Sequence, residues 1–270
     1  ANPAPAGPGN INARRLYRTA VVPTTGDTIT LANVTRIQKD GWSQYHALQS
    51  KIEKRYSRGI SLLASYTFSR TRGLEGGYQD FDNIAAEVGP TSNDRPHYFV
   101  ASGVYELPFG RGKAFGDQWS TARQALLGGW SVSPIVSAAS GAPLDLTVNG
   151  NPSNSNGTDR PNVVGDWRLD TPTPDRWFNT EAFVANAPFT FGNAPKNLLR
   201  GPGTVNLDLV IRKGFQLTER VRADVRFESF NLTNAINFGN PNTQLGNANF
   251  GRISSSGQAR NNQIAVKLLF

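Results

Sequence analysis

The side chains that could do chemistry are few, and their spacing decides most of what they can do. The chain has no Cys and two His, His46 and His97, which removes thiol nucleophiles, cysteine-ligated metals and multi-histidine sites. Neither histidine has a Ser or acid partner at motif spacing, so no catalytic triad is expected. FGRGKAFG, residues 109–116, has the look of a phosphate-binding loop. It lacks the four-residue gap before Gly-Lys and the Ser or Thr after the lysine, and reads as a flexible turn. Asp80, Asp82, Glu87 and Asp94 share one loop and carry oxygens suited to calcium or a sugar, but match no EF-hand spacing. They read as solvated loop acids. The expectation is therefore not an enzyme, with no catalytic residue, no cofactor and no metal site.

The charges that do form a pattern are Arg220, Arg222, Asp224, Arg226 and Glu228, which alternate with Val221, Ala223, Val225 and Phe227. A ladder of this kind needs a face that is wet or internally paired. It suits the solvent side of an ordinary antiparallel sheet, or the polar lumen of a barrel whose other side meets lipid.

The same two-residue period marks the elements that would hold such a ladder. Residues 59–69 put Ile60, Leu62, Ala64, Tyr66 and Phe68 on one face and Ser61, Leu63, Ser65, Thr67 and Ser69 on the other. Leu207, Leu209 and Ile211 oppose Asp208 and Arg212; Trp130, Val132 and Val136 oppose Ser131, Ser133 and Ser137. The last segment alternates through Ile264, Val266, Leu268 and Phe270. These are two-faced strands. Residues 97–107 are apolar on both faces, so a strand is expected there without a readable orientation. Residues 44–55 also fit a helix, with Tyr45, Leu48, Ile52 and Tyr56 at helical spacing. Their direct passage through Ser57-Arg58-Gly59 into the clearest strand favours a hairpin.

Compact connections at residues 56–59, 108–127 and 213–216 alternate with long polar ones at 70–96, 141–203 and 232–261. Segments that each cross one layer would then have all short turns on one side and all long loops on the other, as outer-membrane barrels do. A weaker strand at 28–37 brings the total to about eight crossings, each near the nine to eleven residues that a tilted membrane strand needs.

Composition agrees. There are 270 residues, with 28 basic and 20 acidic side chains for a net charge of +8. The basic residues do not form the long like-charge runs of nucleic-acid tails, so no nucleic-acid partner is expected. No apolar run approaches the roughly 18 residues of a spanning helix. The chain has no Met, and the expectation is a processed product or a piece of something longer. Residues 1–10 carry no signal-peptide pattern.

The chain ends in QIAVKLLF. Gln263, Leu268 and Phe270 resemble the C-terminal assembly signal of bacterial outer-membrane proteins, with Ala265 where that signal usually has Gly. YHALQSKIEKRYSRGISLLASYTFSRT, RPHYFVASGVYELPFGRGKAF, LLGGWSVSPIVSAASGAP, WFNTEAF and LLRGPGTVNLDLVIRKGFQLTERVRADVRFESFNLTNAINFGNP, in this order, resemble the C-terminal barrel portion of Oar-like TonB-dependent transporters. The resemblance begins near Gly7 and covers nearly the whole chain. It implies an all-β, antiparallel transmembrane β-barrel of about 22 strands in the bacterial outer membrane, with a plug and a TonB box upstream. This chain would supply about eight to ten C-terminal strands, an open curved sheet when taken alone. Residues 1–27 would connect from the missing upstream barrel, and residues 28–270 would form the barrel part.

That resemblance implies energy-coupled passage of a large substrate. The partners it implies are outer-membrane lipid, the chain's own missing plug and upstream strands, the barrel assembly machinery, and the TonB system acting through the absent plug. The lipid face would include Leu62, Tyr66, Phe68, Val132, Leu209, Val225 and Phe227. Tyr66 and Phe68 would mark the outer interface and Trp130 the inner one. The ladder from Arg220 to Glu228 would face plug and lumen. A self-contained small barrel or porin-like protein and a soluble β-sandwich adhesin or carbohydrate-binding module stay open as alternatives.

Overall fold

The computed structural model describes residues 4–32, 39–218 and 220–270. Seven long strands carry the architecture: β1 (Trp42–Ser57), β2 (Ile60–Leu74), β3 (His97–Glu106), β4 (Trp130–Ala139), β5 (Thr204–Gln216), β6 (Arg222–Phe230) and β7 (Asn261–Leu269). Each is hydrogen-bonded antiparallel to the next in chain order, and the short strand Val88–Pro90 adds to β2. The sheet is open. Its edges are β1 and β7. Among the described residues no membrane-spanning apolar helix occurs.

Local chemistry explains the elements. β1 is a strand despite its helical spacing because it pairs with β2 from Trp42↔Leu74 to Lys54↔Leu62. A bulge then leads into a turn in which Arg58 (φ 50) and Gly59 (φ 79) are both left-handed. That geometry matches the twist of the flanking strands. At the same end, residues 107–129 contain the one α-helix among the described residues, α1 (Thr121–Leu127), which Ser120 caps by accepting from the Arg123 amide.

Three expectations need correction. The compact turn expected at 213–216 is part of β5, which ends at Gln216, and β6 returns antiparallel from Arg222. Phe215 and Gln216 still alternate like strand residues, which hid the boundary. Arg220 accordingly sits between the two strands, one step outside the ladder. The crossing expected at 28–37 does not join the large sheet in its described part: Thr28–Thr30 pairs with Thr19–Val21. Residues 33–38 lie outside the described residues.

The largest surprise is where the apolar core sits. Leu146, Phe178, Ala182, Phe183, Ala194 and Leu199 are buried together, all in the connection between β4 and β5. Phe178, Phe183 and Phe250 meet edge to face at 5.1–6.1 Å, a favoured aromatic geometry. Short strands stitch this unit: Pro143–Leu144 to Leu199–Arg200, Asn162–Val163 to Phe183–Val184, and Thr147–Val148 to Gln244–Leu245. The three long connections thus form one packed cap. Gly141 lies so close to its neighbour that a Cβ would stand 1.8 Å from the Gly201 carbonyl oxygen. Gly141→Ala should therefore cost more than about 1 kcal/mol, seen as a lowered melting temperature of the cap.

Candidate functional site

Register sorts the side chains onto two faces. Leu62 stands opposite Gly103, Tyr66 opposite Phe99, and Phe68 opposite His97. Tyr105 faces Val132, Val132 faces Ile211, Ile211 faces Phe227, and Phe227 faces Ile264. Leu62, Tyr66, Phe68, Val132, Leu209, Val225 and Phe227 therefore share one face, because strand side chains alternate and register partners point the same way. β3, unreadable in the sequence, is oriented by this pairing: Phe99 and Tyr105 lie on the apolar side, Tyr98, Val100 and Val104 on the other.

The opposite face carries every acid of the seven strands: Glu53, Glu106, Asp208, Asp224 and Glu228. Asp224, largely buried, accepts from Arg212 Nη2 at 2.8 Å and from Arg222 Nε at 3.1 Å. Arg226 lies 3.6 Å from Glu228, which also accepts from the Gln263 amide. The ladder from Arg222 to Glu228 is thus internally paired, while Arg220 donates its backbone amide to Thr218 Oγ1. A trough of about 470 Å³ runs along this face, lined by Lys51, Glu53, Ser61, Leu63, Ser102 and Ser133. The polar side is the hollow side of the sheet.

Of the C-terminal residues singled out in the sequence, Gln263 and Ala265 lie on the polar face, and Leu268 on the apolar face opposite Ala223. Phe270 follows the strand and is 97% exposed. The interface aromatics sit at opposite ends. The Tyr66 hydroxyl and His97 Nδ1 are hydrogen-bonded at 2.7 Å, with the Phe68 ring 5.3 Å from that of His97. Trp130 donates from its indole nitrogen to the Leu126 carbonyl at 3.0 Å. Lys213 lies 5.2 Å from the Trp130 and Phe215 rings and donates to the Gly128 carbonyl.

The segment 109–116 is pinned rather than loose. Gly110 donates to Phe115 O and Phe115 to Pro108 O. Lys113 bridges to Glu106 at 2.5 Å, and this hydrogen bond holds its ammonium above the ordinary lysine range.

The loop acids also differ from expectation. Glu87 is fully buried and bound twice by Arg160, at 2.6 and 3.0 Å; Asp94 is buried against Arg200 at 2.6 Å. Glu87 also accepts from the Gln79 amide, and Asp94 from that of Thr71. These two are internal pairs of the cap, not solvated acids. Among the described residues, no group of three or more His, Asp or Glu is placed to hold a metal ion. The cap has an open cleft of about 400 Å³ between Trp167, Arg168, Pro172, Trp177 and Leu198. It was not legible in the sequence, because its tryptophans carry no motif.

A meander of two-faced strands nine to sixteen residues long, with short turns at one end and packed loops at the other, is the wall of a membrane β-barrel. Comparison with family models gives the same answer. The chain matches the outer membrane beta barrel domain over residues 1–263 and belongs to that family. It is accordingly a protein of the bacterial outer membrane. No curated protein and no solved structure matched the chain.

Proposed function

We propose that this chain forms part of the wall, lumen and outer loops of an energy-coupled transporter of the TonB-dependent class. What supports this reading best is the open sheet: β1 and β7 each leave a full strand edge unpaired. Bare edges of that length pair with further strands, and a wall of more strands encloses a wider lumen. The hollow face with its paired ladder suits a water-filled or plugged interior, and the apolar face suits lipid. Tyr66 and Phe68 then mark the outer interface and Trp130 the inner one. The role is passage rather than catalysis. Lipid, upstream strands and a plug, the assembly machinery that recognises the Gln263-to-Phe270 end, and TonB pulling on the plug are the partners. Nucleic acid is not one.

The size of the native product tests this. Antibody to the cap should detect, in outer membranes, a species several times the 29.3 kDa of this chain. A native species of that mass itself would replace the transporter with a self-contained barrel, and recovery in the soluble fraction would contradict both.

A further inference from the structure

Charge on the apolar face is confined to its two ends. Among the described strand residues this face has no Asp or Glu. Lys213 lies at the short-turn end, and so does Lys54, which pairs with Leu62. Arg70 and Arg72 lie at the long-loop end, opposite His46 and Gln44. From Leu62 to Arg70 is eight residues, about 26 Å along a strand, or about 20 Å across the membrane at a tilt of about 40°, against the roughly 25 Å apolar band of a membrane barrel.

The two ends are not equivalent. Lys213 is occupied by the Gly128 carbonyl. Arg70 has no hydrogen-bond or ion-pair partner among the described residues, and Arg72 has a single contact, at 3.5 Å, with the Val88 carbonyl. Both are exposed. The nearby acids are engaged elsewhere: Glu75 accepts from Ser92, and Asp94 binds Arg200 and Thr71. Directly inward lie Phe68 and its register partner His97, ring centroids 5.3 Å apart, aromatic side chains of the kind that settle at headgroup depth.

We propose that Arg70 and Arg72 form a binding site for the phosphate of a phosphorylated lipid headgroup in the leaflet beside the long loops. Arg70 and Arg72 leave the same strand on the same face from backbone positions about 6–7 Å apart. Each offers a planar fork that matches phosphate oxygens. The anion neutralises cations that would otherwise stand uncompensated beside hydrocarbon. The acyl chains lie against Phe68 and Leu48, which face each other across β1 and β2. This inference rests on the reading that the apolar face meets lipid.

The test is native mass spectrometry of the full protein extracted in mild detergent, with lipid A carrying phosphates and its dephosphorylated form as probes. The phosphorylated lipid should be retained by wild type and by Lys54→Ala, and at least about tenfold less by Arg70→Gln/Arg72→Gln. The dephosphorylated form should be held weakly by all three. Equal retention by the glutamine variant, or of the dephosphorylated lipid, overturns the proposal. So does displacement of the lipid by millimolar inorganic phosphate, which would make this a site for the free ion. Folding of each variant is checked by heat-dependent gel mobility, with Arg70→Lys/Arg72→Lys, which keeps the charge but loses the fork, expected to bind between wild type and the glutamine variant. A bimane label on Ala64→Cys, on the apolar face opposite Ala101, separates the two levels. Quenching by brominated lipid with no retention of phosphorylated lipid defeats this inference alone; absence of quenching defeats the face reading beneath it.

Discussion

Arg160→Met should loosen the cap by about 3–5 kcal/mol and leave the strand wall folded. Arg160 and Glu87 have side chains only 3% and 0% exposed. Removing the guanidinium strands a carboxylate with no access to water, and an uncompensated buried charge costs far more than the pair contributes. Arg160 also donates from Nε to the Ala194 carbonyl, and its backbone amide donates to Gln79. The damage therefore reaches the seam between the first and second long connections. Proteolysis of intact cells should expose new cleavage sites within residues 150–200, and heat-dependent gel mobility of the barrel should not change. The variant Glu87→Leu/Arg160→Met should recover part of the loss, since no lone charge is left. If the single variant resists protease as wild type does, the pair does not hold the cap.

How far the sequence could be read follows from where each interaction partner lies. β6 was legible from residues 221–228 alone, because Val225 and Phe227 must avoid what Arg226 and Glu228 require. The same holds for Trp130, Val132 and the serines between them. The cap was illegible for the opposite reason. Glu87 meets Arg160 across 73 residues and Asp94 meets Arg200 across 106, and no local spacing announces such pairs. Phe178 packs on Phe250 from a different connection, and the short strands that join them are two residues long. Polar, Gly- and Pro-rich composition described these segments as loops. Their few apolar side chains, gathered in the connection between β4 and β5 with Leu245 and Phe250 packed on from the third, nonetheless build the buried core. β1 shows a third situation: its propensities favour a helix, and pairing with β2 overrides them.

Leu209→Arg should destabilise the wall by about 2–4 kcal/mol, whereas Ser133→Arg should change stability by no more than about 0.5 kcal/mol. The two positions lie on adjacent strands near their middles: Leu209 pairs with Pro134 and Ser133 with Val210. They differ mainly in face. An arginine at 209 would be flanked by Pro134 and Ser229 on a face that lacks acids. With hydrocarbon outside, its charge could reach neither water nor a partner. An arginine at 133 would enter the hollow face, where Asp208 and Glu106 lie on neighbouring strands. Urea titration of protein folded into lipid vesicles separates the two, and the amount assembled in outer membranes should fall for Leu209→Arg only. Equal effects at both positions would mean that the two faces meet the same solvent, as in a soluble sheet. The reverse order would place lipid on the ladder side, where Arg212, Asp224 and Arg222 hold one another in a single network.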